Sequence, residues 1–205
     1  MDSSHVVKIL REKFNFSESS LHKINVYKDE LLKYNNRYNL ISKSSESSIW
    51  MRHILDSAQI IDYINFNQNA SLSDLGSGAG FPGMVLAIFN EKNSFHVKLY
   101  EKSTIKCQFL KKISEMLNIR VDVIEGNLEK EVINSEYIVC RAFKKFNEIL
   151  RISREIVKKP HKLIVLKGKS AQEEINKASN NFKDEYKLVK SITNEESKII
   201  IVNVK

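Results

Sequence analysis

The chain has 205 residues, of which 42% are hydrophobic and 28% charged, and its formal net charge is +8. This length allows one sizeable core, or one domain with a small appendage. It contains no run of 18 apolar residues, no basic-then-apolar leader and no C-x-x-C or His cluster, which argues against a membrane span, an export signal and a metal site. We therefore expect a cytoplasmic protein in which Cys107 and Cys140 are reduced thiols.

The positive charge is unevenly distributed along the chain. Residues 1–70 carry 9 basic and 8 acidic side chains, whereas residues 71–205 carry 24 and 17. An excess of +7 in the second part favours a polyanionic partner such as a nucleic acid. The alternative is a lysine-rich solvated surface, and charge does not decide between the two.

Helices are predicted first. One covers 4–14, and a longer one covers 18–39, where apolar residues recur every three or four positions. Asn residues crowd the end of the longer helix, and Asn39 is expected to cap it. Its apolar stripe contains three tyrosines that we expect in the core, Tyr27, Tyr34 and Tyr38.

A third helix is predicted over 46–64 from its isoleucine pattern. It also carries Arg52, His53 and Asp56. Because His53 and Asp56 are three residues apart, they lie on the same side of such a helix, and we expect a local hydrogen-bonded pair.

A polar tract at 65–70 marks the best domain boundary, which separates a small N-terminal helical cap, 1–68, from a second domain, 69–205. In the second domain strands and helices alternate, which indicates βαβ units and a parallel sheet. The predicted strands are 71–76, 95–100, 120–124, 136–140, 162–167, 186–192 and 198–204. The predicted helices are 81–90, 103–118, 146–158 and one beyond 170. The second of these is expected to bury Ile105, Phe109, Ile113, Met116 and Leu117.

Four of the six glycines lie between Gly76 and Gly83, after the first strand and before an apolar helix. Gly76, Gly78 and Gly80 alternate with other residues in the segment D-L-G-S-G-A-G-F-P-G. Glycines cluster where the backbone turns at positive φ or closely approaches a ligand, and the following helix directs its free N–H groups at that ligand. A P-loop is excluded because no lysine follows the glycines.

Two carboxylates accompany this glycine loop. Asp74 precedes the turn, and Glu101 ends the next strand, where a carboxylate can accept hydrogen bonds from ribose hydroxyls. We interpret the strand, the loop, the helix and the carboxylates together as a nucleotide-type site, with a plain strand-to-helix turn as the alternative. The combination resembles the S-adenosylmethionine (SAM) site of Rossmann-like methyltransferases.

Several separated motifs resemble those of the bacterial small-subunit rRNA guanine-N7 methyltransferases, the RsmG or GidB family. They are N-R-Y-N-L at 36–40, R-H-I-L-D-S at 52–57, D-L-G-S-G-A-G-F-P-G at 74–83, I-K-C-Q-F-L-K-K at 105–112, C-R-A-F at 140–143 and L-K-G at 166–168. Their order and spacing carry the resemblance, which spans about residues 25–205. It implies an α/β fold of the Rossmann-like class I SAM-dependent methyltransferases, with a mainly parallel seven-stranded sheet preceded by the helical cap.

The resemblance also implies site residues. The expected cofactor-binding residues are Asp74, Gly76, Gly78, Gly80, Phe81, Glu101, Leu128, Glu129 and Arg141. Arg141 follows the fourth strand, and in a doubly wound sheet the cleft lies between the ends of strands one and four. It is therefore the expected catalytic residue, holding a phosphate or guanine O6. Weaker candidates for substrate contact, each with a structural alternative, are Arg52, His53 and Lys167.

Two positions depart from the family pattern. Ser197-Lys198 stands where the family usually has Arg-His at the start of the final strand. Lys102-Ser103-Thr104 replaces the family's usual turn after the acidic strand end. Both departures are expected to affect RNA contacts more than cofactor binding.

Missing motifs narrow the chemistry. The prolines are Pro82 and Pro160, so a D/N-P-P-Y/F motif for methylating exocyclic amines is impossible, and no proline precedes either cysteine as in cytosine-C5 methyltransferases. Guanine N7 needs neither device, because its lone pair lies in the ring plane and carries no proton. Orientation of N7 and exclusion of water are then the main requirements.

We therefore expect transfer of a methyl group from SAM to guanine N7 in 16S rRNA, or in a small-subunit precursor, by a monomer that uses neither metal nor membrane. Two alternatives stay open. One is a methyltransferase for another substrate, such as a small molecule or a protein. The other is an RNA-binding assembly factor without turnover, which the intact glycine loop and Glu101 argue against.

Overall fold

The computed structural model describes residues 3–66, 70–90, 95–179 and 185–205. Within these residues, seven strands form one sheet in the order β3-β2-β1-β4-β5-β7-β6. The strands are β1 (Ser71–Leu75), β2 (His96–Glu101), β3 (Val121–Glu125), β4 (Tyr137–Arg141), β5 (His161–Lys167), β6 (Tyr186–Lys190) and β7 (Lys198–Val204). Neighbours from β3 to β5 pair in parallel, and β7 is antiparallel to both β5 and β6. The predicted Rossmann-like fold is confirmed.

Helices cover both faces of the sheet. Those of the second part of the chain are α5 (Gly83–Phe89), α6 (Thr104–Met116), α7 (Phe146–Ile156) and α8 (Ala171–Ser179). Residues alternate between two cores along each strand, as the two-residue period requires. Leu72 belongs to the core that contains α5, α6 and the N-terminal helices. Leu75 belongs to the core that contains α7 and α8.

The N-terminal segment is helical, as predicted, but one helix is broken. Its helices are α1 (Ser3–Glu12), α2 (Glu18–Tyr38), α3 (Lys43–Glu46) and α4 (Asp56–Ala58). The helix predicted over 46–64 is wrong as one element, because a π-helical turn covers Trp50–Leu55 and a 3₁₀ turn covers Ile61–Tyr63. In the π-helical turn, the Arg52 carbonyl accepts a hydrogen bond from Arg141. A side chain inserted in this way competes with regular helical bonding.

The end of α2 confirms the predicted cap. Asn39 has the left-handed conformation, with φ 49°, and donates its N–H to the Asn35 carbonyl. Tyr27 is fully buried and Tyr34 packs against the core, as predicted. Tyr38 is 46% exposed, so its assignment to the core is wrong.

The same core continues from the N-terminal helices into the sheet. Helix α2 contacts both α5 and α6, and its Ser20 hydroxyl donates to the Ile88 carbonyl. The proposed boundary between 68 and 69 lies outside the described residues. Among the helices that the structure describes, none is both long and apolar enough to cross a membrane.

Helix α6 is found where it was predicted, but its buried face is rotated. Cys107, Leu110 and the expected Phe109 and Ile113 are buried, whereas Ile105 and Met116 are 44% and 48% exposed. The expected inward positions of Ile105 and Met116 are therefore wrong, whereas Leu117 is buried as expected.

Candidate active site

A cavity of about 1060 Å³ opens at the carboxyl ends of β1, β2 and β4. We name it the first cavity. It lies on the edge of the sheet where doubly wound folds bind their ligands. Seven of the nine predicted cofactor residues line it, namely Gly76, Gly78, Phe81, Glu101, Leu128, Glu129 and Arg141.

The glycine loop forms one wall of the first cavity with backbone that other residues rarely adopt. Gly76, Gly78 and Gly80 have φ values of 73°, 59° and 107°. A Cβ on Gly76 would collide with the Phe143 ring. At Gly78, the nearest described atom to such a Cβ would be the Gly76 carbonyl oxygen, 3.9 Å away. Gly78 is therefore the glycine that a ligand can approach closely.

Glu101 is held opposite this loop by backbone N–H groups. Its Oε1 accepts from the amides of Lys102 and Ser103, both at 2.9 Å, and its Oε2 accepts from Gly78 N at 2.8 Å. A carboxylate has about four acceptor positions. The three amides thus orient Glu101 and leave acceptor capacity for hydroxyl groups of a ligand.

Asp74 and Gly80 were predicted to contact the cofactor, but neither is among the described residues that line the first cavity. Asp74 is fully buried, and its Oδ2 accepts from Gly83 N at 2.9 Å. Burial raises the Asp74 pKa to about 7, against the opposing effect of this hydrogen bond. A Cβ on Gly80 would lie 2.7 Å from the Tyr27 hydroxyl. Both residues therefore shape the loop from behind.

Arg141 ends β4 and reaches across to the π-helical turn. Its Nη1 donates to the Arg52 carbonyl at 2.7 Å and to Asp56 Oδ2 at 3.4 Å, and its Nη2 donates to His53 Nδ1 at 2.7 Å. The guanidinium also lies 5.1 Å from the centre of the Phe81 ring. The position of Arg141 is thus fixed by hydrogen bonds, an ion pair and a cation–π contact.

His53 is held in one protonation state by this arrangement. Because an arginine can only donate, Nδ1 is the acceptor and the imidazole proton lies on Nε2. Burial, with the nearby charges of Arg141 and Arg52, lowers the His53 pKa to about 3. The buried Nε2 has no hydrogen-bond partner in the described part of the chain. The predicted His53–Asp56 pair is wrong, since each of the two accepts from Arg141 instead.

Asp56 joins this turn to the loop between β6 and β7. Its Oδ1 accepts from the Thr193 hydroxyl and from Gln59 Nε2, both at 2.8 Å. Gln59 in turn accepts from the amide of Ile192 at 3.0 Å. Burial raises the Asp56 pKa, and Arg141 is the strongest opposing influence.

A second cavity, of about 840 Å³, lies on the other side of Arg141. His53, Arg141 and Ala142 line both cavities and so form the wall that the two share. Ala142 has φ 48°, a conformation that costs an alanine roughly 1–2 kcal/mol. Hydroxyl groups and cations dominate the second cavity, from Ser42, Ser45, Arg52, Lys167, Ser170, Ser191, Thr193, Ser197 and Lys198. All three weaker substrate candidates, Arg52, His53 and Lys167, line it.

Comparisons with known proteins assign the chain to a family. The family model described as rRNA small subunit methyltransferase G matches residues 20–200. The chain belongs to this family. The ribosomal RNA small subunit methyltransferase G of Rickettsia bellii (strain OSU 85-389) is 37% identical over 183 residues, covering 89% of this chain and 93% of the relative. That of Orientia tsutsugamushi (strain Ikeda) is 33% identical over 199 residues, covering 97% and 98%.

Solved structures agree on the fold. A SAM-dependent methyltransferase from Aquifex aeolicus matches with a TM-score of 0.56 at 12% identity, covering 86% of this chain and 97% of that one. A structure titled PigF with SAH matches with a TM-score of 0.61 at 14% identity, covering 98% and 68%. At these identities the likeness concerns the fold alone.

Lys167, which was predicted as a weaker candidate for substrate contact, has a structural role. Its ammonium donates to the Lys144 carbonyl at 2.6 Å and pairs with Glu174 at 2.7 Å. Lys167 thus ties β5 to α8 and to the segment after β4, and its side chain is only 11% exposed. Its contribution to a substrate would be limited to its charge at the edge of the second cavity.

The two departures from the family pattern lie in different cavities. Ser197 and Lys198 line the second cavity. Lys102 lines the first cavity, where its amide and that of Ser103 orient Glu101. The Lys102 turn therefore lies beside the first cavity, and the expectation that both departures affect RNA contacts more than cofactor binding stays a prediction.

Leu40, which ends the N-R-Y-N-L motif, and Ile41, which follows it, were not predicted at the site. Both line the first cavity, so the N-terminal segment supplies one of its walls. The Asn35 side chain fixes this turn by accepting from Ile41 N at 2.8 Å. The sequence signal that could have identified this wall is the apolar pair directly after the helix cap.

Neither cysteine lines either cavity. Both are free and buried. Burial raises the Cys107 pKa to about 11, and it also raises that of Cys140. Thiols held neutral in this way are poor nucleophiles. No group of three His, Cys, Asp or Glu side chains suited to a metal occurs among the described residues.

Proposed function

We propose that the protein transfers a methyl group from SAM to N7 of a guanine in 16S rRNA of the small ribosomal subunit. The observation that carries the proposal is the pair of adjoining cavities, which meet at His53, Arg141 and Ala142 in a chain of the methyltransferase G family. One cavity suits the cofactor and the other a nucleotide. The curated relatives are named for methylation of small-subunit ribosomal RNA.

The first cavity fits SAM. Its volume is sufficient for a ligand of this size, and the space beside Gly78 is where a Cβ would otherwise stand. Glu101 would accept from the ribose hydroxyls, and Leu128 and Glu129 would flank the adenine. When bound, the cofactor supplies an electrophilic methyl group on a sulfonium. Gly76 and Phe81 would bound the methionine side of the loop.

The protein residues orient the target and exclude water. Guanine N7 carries no proton, so a general base is unnecessary, and orientation can supply about 7–11 kcal/mol in favourable cases. The side chain of Arg141 has N–H groups beyond those that it donates to Arg52, His53 and Asp56. These would hold guanine O6 or a phosphate at the shared wall. The cations Arg52 and Lys198 would attract the RNA backbone.

The setting that we propose is a cytoplasmic monomer acting on 16S rRNA or on a small-subunit precursor. The excess of positive charge after residue 70 supports a polyanionic substrate. The N-terminal segment, proposed as a cap over 1–68, would close the cofactor cavity with Leu40 and Ile41. RNA affinity should fall linearly with salt on logarithmic axes, with roughly one unit of slope per phosphate contact.

The experiment combines binding with mapping of the product. Calorimetry measures SAM binding to the wild type and to Gly78→Val, in which a branched side chain would occupy the ligand space. N7-methylguanine is then mapped in rRNA from cells with and without the gene, and in small-subunit RNA treated with purified protein. We expect SAM binding by the wild type, its loss in the variant, and one site of N7-methylguanine that depends on the gene.

Other results would redirect the proposal. SAM binding with methyl transfer to a different acceptor would support another methyltransferase substrate. RNA binding without SAM binding would support an assembly factor. Unchanged SAM affinity in a folded Gly78→Val protein would show that the cofactor binds elsewhere.

A further inference from the structure

The charge of the target base changes during the proposed reaction. A neutral guanine gives up its N7 lone pair to form a bond to the methyl carbon, and the bond from that carbon to sulfur breaks with its electrons staying on sulfur. No proton is released. The positive charge of the sulfonium therefore ends on the purine ring. A site for this reaction has to accommodate a cation where the neutral base first binds.

Arg141 presents a difficulty for this charge movement. It lies in the wall between the cavities, and its side chain is only 16% exposed. An unpaired guanidinium at this place would repel the developing positive charge on the guanine, and partial burial would strengthen the repulsion. The residue that holds the base would then also slow its methylation.

Asp56 is placed to remove this difficulty. Its carboxylate pairs with Arg141 at 3.4 Å, and its side chain is only 17% exposed. Hydrogen bonds from Thr193 and Gln59 hold its other oxygen. Among the described residues that line the second cavity, Asp56 is the one carboxylate.

We propose that Asp56 is the counter-charge of the methylation site, which neutralises Arg141 and favours the cationic product of transfer to N7. This inference rests on the proposed function. The three donors around Asp56 favour the ionised carboxylate and fix it in place before the substrate binds. Asp56 thereby acts on the rate of transfer through the electrostatics of the wall, and Arg141 retains its contacts to the base.

The test is a neutral variant of nearly the same shape. Asp56→Asn keeps an oxygen for Thr193 and Gln59 but removes the charge beside Arg141. Asp62→Asn is the matched control, because it makes the same change of net charge at an exposed position on the following turn. Asp56→Glu keeps the charge and shifts it by one methylene. Single-turnover methylation, RNA affinity, SAM affinity and thermal unfolding are measured for each.

We expect Asp56→Asn to slow single-turnover methylation about ten- to thirty-fold, the effect of one unpaired charge several ångströms away at intermediate dielectric. Its RNA affinity should equal that of Asp62→Asn, and its SAM affinity should equal that of the wild type. Asp56→Glu should recover part of the rate. A residue that only maintained the structure would lower affinity and rate together.

Three results would overturn the inference. They are an Asp56→Asn rate equal to that of Asp62→Asn, a loss of RNA affinity as large as the loss of rate, and an Asp56→Glu rate as low as that of Asp56→Asn. The wild type provides the check on the proposed function. If it forms no N7-methylguanine, the proposed function fails; if it does and Asp56→Asn is unaffected, only the role of Asp56 fails.

Discussion

The two cavities share a wall but are constructed in different ways. The first is built mainly from backbone, with three glycines at positive φ and a carboxylate oriented by three amides. The second is built from side chains of the N-terminal helices, of the segment after β5 and of the loop between β6 and β7. A backbone site requires particular residues at consecutive positions, whereas a side-chain site collects them from distant segments.

This difference explains which residues the sequence could reveal. Gly76, Gly78 and Glu101 were found because the glycine spacing and the strand ending are local patterns. The hydroxyl groups of Ser191 and Thr193 carry no such pattern, and they reach the site only because β7 inserts between β5 and β6. Breaking each cavity separately should therefore affect different steps of the reaction.

The largest effect is expected at the shared wall. Arg141→Ala removes hydrogen bonds to Arg52, His53 and Asp56 and leaves a partly buried carboxylate unpaired. Single-turnover methylation should fall about 100-fold, the upper range for loss of a charge-assisted contact, and SAM affinity should fall less. Arg141→Lys should restore only part of the rate, because it cannot form the same set of bonds.

The control is Arg120→Ala, which removes an exposed arginine directly before β3. Thermal unfolding of all three variants separates loss of the fold from loss of transfer. If Arg141→Ala abolishes SAM binding while the protein stays folded, Arg141 is a cofactor ligand and belongs to the first cavity.

A smaller and more selective effect is expected in the first cavity, which is built mainly from backbone. Glu101→Gln replaces one carboxylate oxygen with an NH₂ group that cannot accept from the surrounding amides. SAM affinity should fall about ten- to thirty-fold, as for loss of charged hydrogen bonds, with RNA affinity unchanged. Calorimetry with SAM and filter binding with RNA measure the two affinities.

Glu125→Gln is its matched control. Glu125 pairs in register with Glu101 on the adjacent strand, but it is exposed and is not among the described residues that line the first cavity. If both variants lose the same SAM affinity, the effect of Glu101→Gln comes from the change in net charge and not from a specific contact between Glu101 and SAM.

The limits of prediction also follow from how each part is held together. The strands were predicted to within about two residues, because β-branched runs and turn residues are local signals. The prediction of one helix over 46–64 is wrong because Arg141 donates a hydrogen bond to the backbone carbonyl of Arg52, which lies 89 positions earlier in the chain. The predicted burial of Ile105 and Met116 on α6 is wrong because the first and last turns of a helix can extend beyond the surface that the helix packs against. Tertiary contacts decided each of these outcomes.

A pH-dependent effect should arise from His53. Its folded-state pKa of about 3 lies below the ordinary value of roughly 6.5. Between these values the unfolded chain binds a proton that the folded chain does not, so the free energy of unfolding decreases as the pH falls. The slope is up to about 1.4 kcal/mol per pH unit, and above pH of roughly 6.5 this contribution is fully present.

His53→Gln removes the titrating group and keeps an acceptor for Arg141. Denaturant unfolding at several pH values between roughly 5 and 7 should give a shallower loss of stability in the variant than in the wild type. Asp74, whose raised pKa acts with the opposite sign, is present in both proteins and cancels in the comparison. Identical slopes would mean that His53 has the same pKa in the folded and unfolded protein, and that burial does not lower it.

The smallest effect is expected where the N-terminal helices support the glycine loop. Tyr27 is fully buried on α2, and its hydroxyl donates to the Ala79 carbonyl at 2.6 Å. Its ring packs at 5.4 Å from that of Phe81.

Tyr27→Phe keeps the ring and leaves the buried Ala79 carbonyl without this donor, which should cost about 1 kcal/mol of stability. Because Ala79 lies between Gly78 and Gly80, SAM affinity should also fall, by about two- to five-fold when half to all of that free energy is expressed in binding. Tyr34→Phe is the control, since Tyr34 lies on the same helix and its ring also packs near Phe109. If Tyr27→Phe lowers stability but leaves SAM affinity unchanged, the N-terminal helices have only a structural role and do not position the glycine loop for SAM.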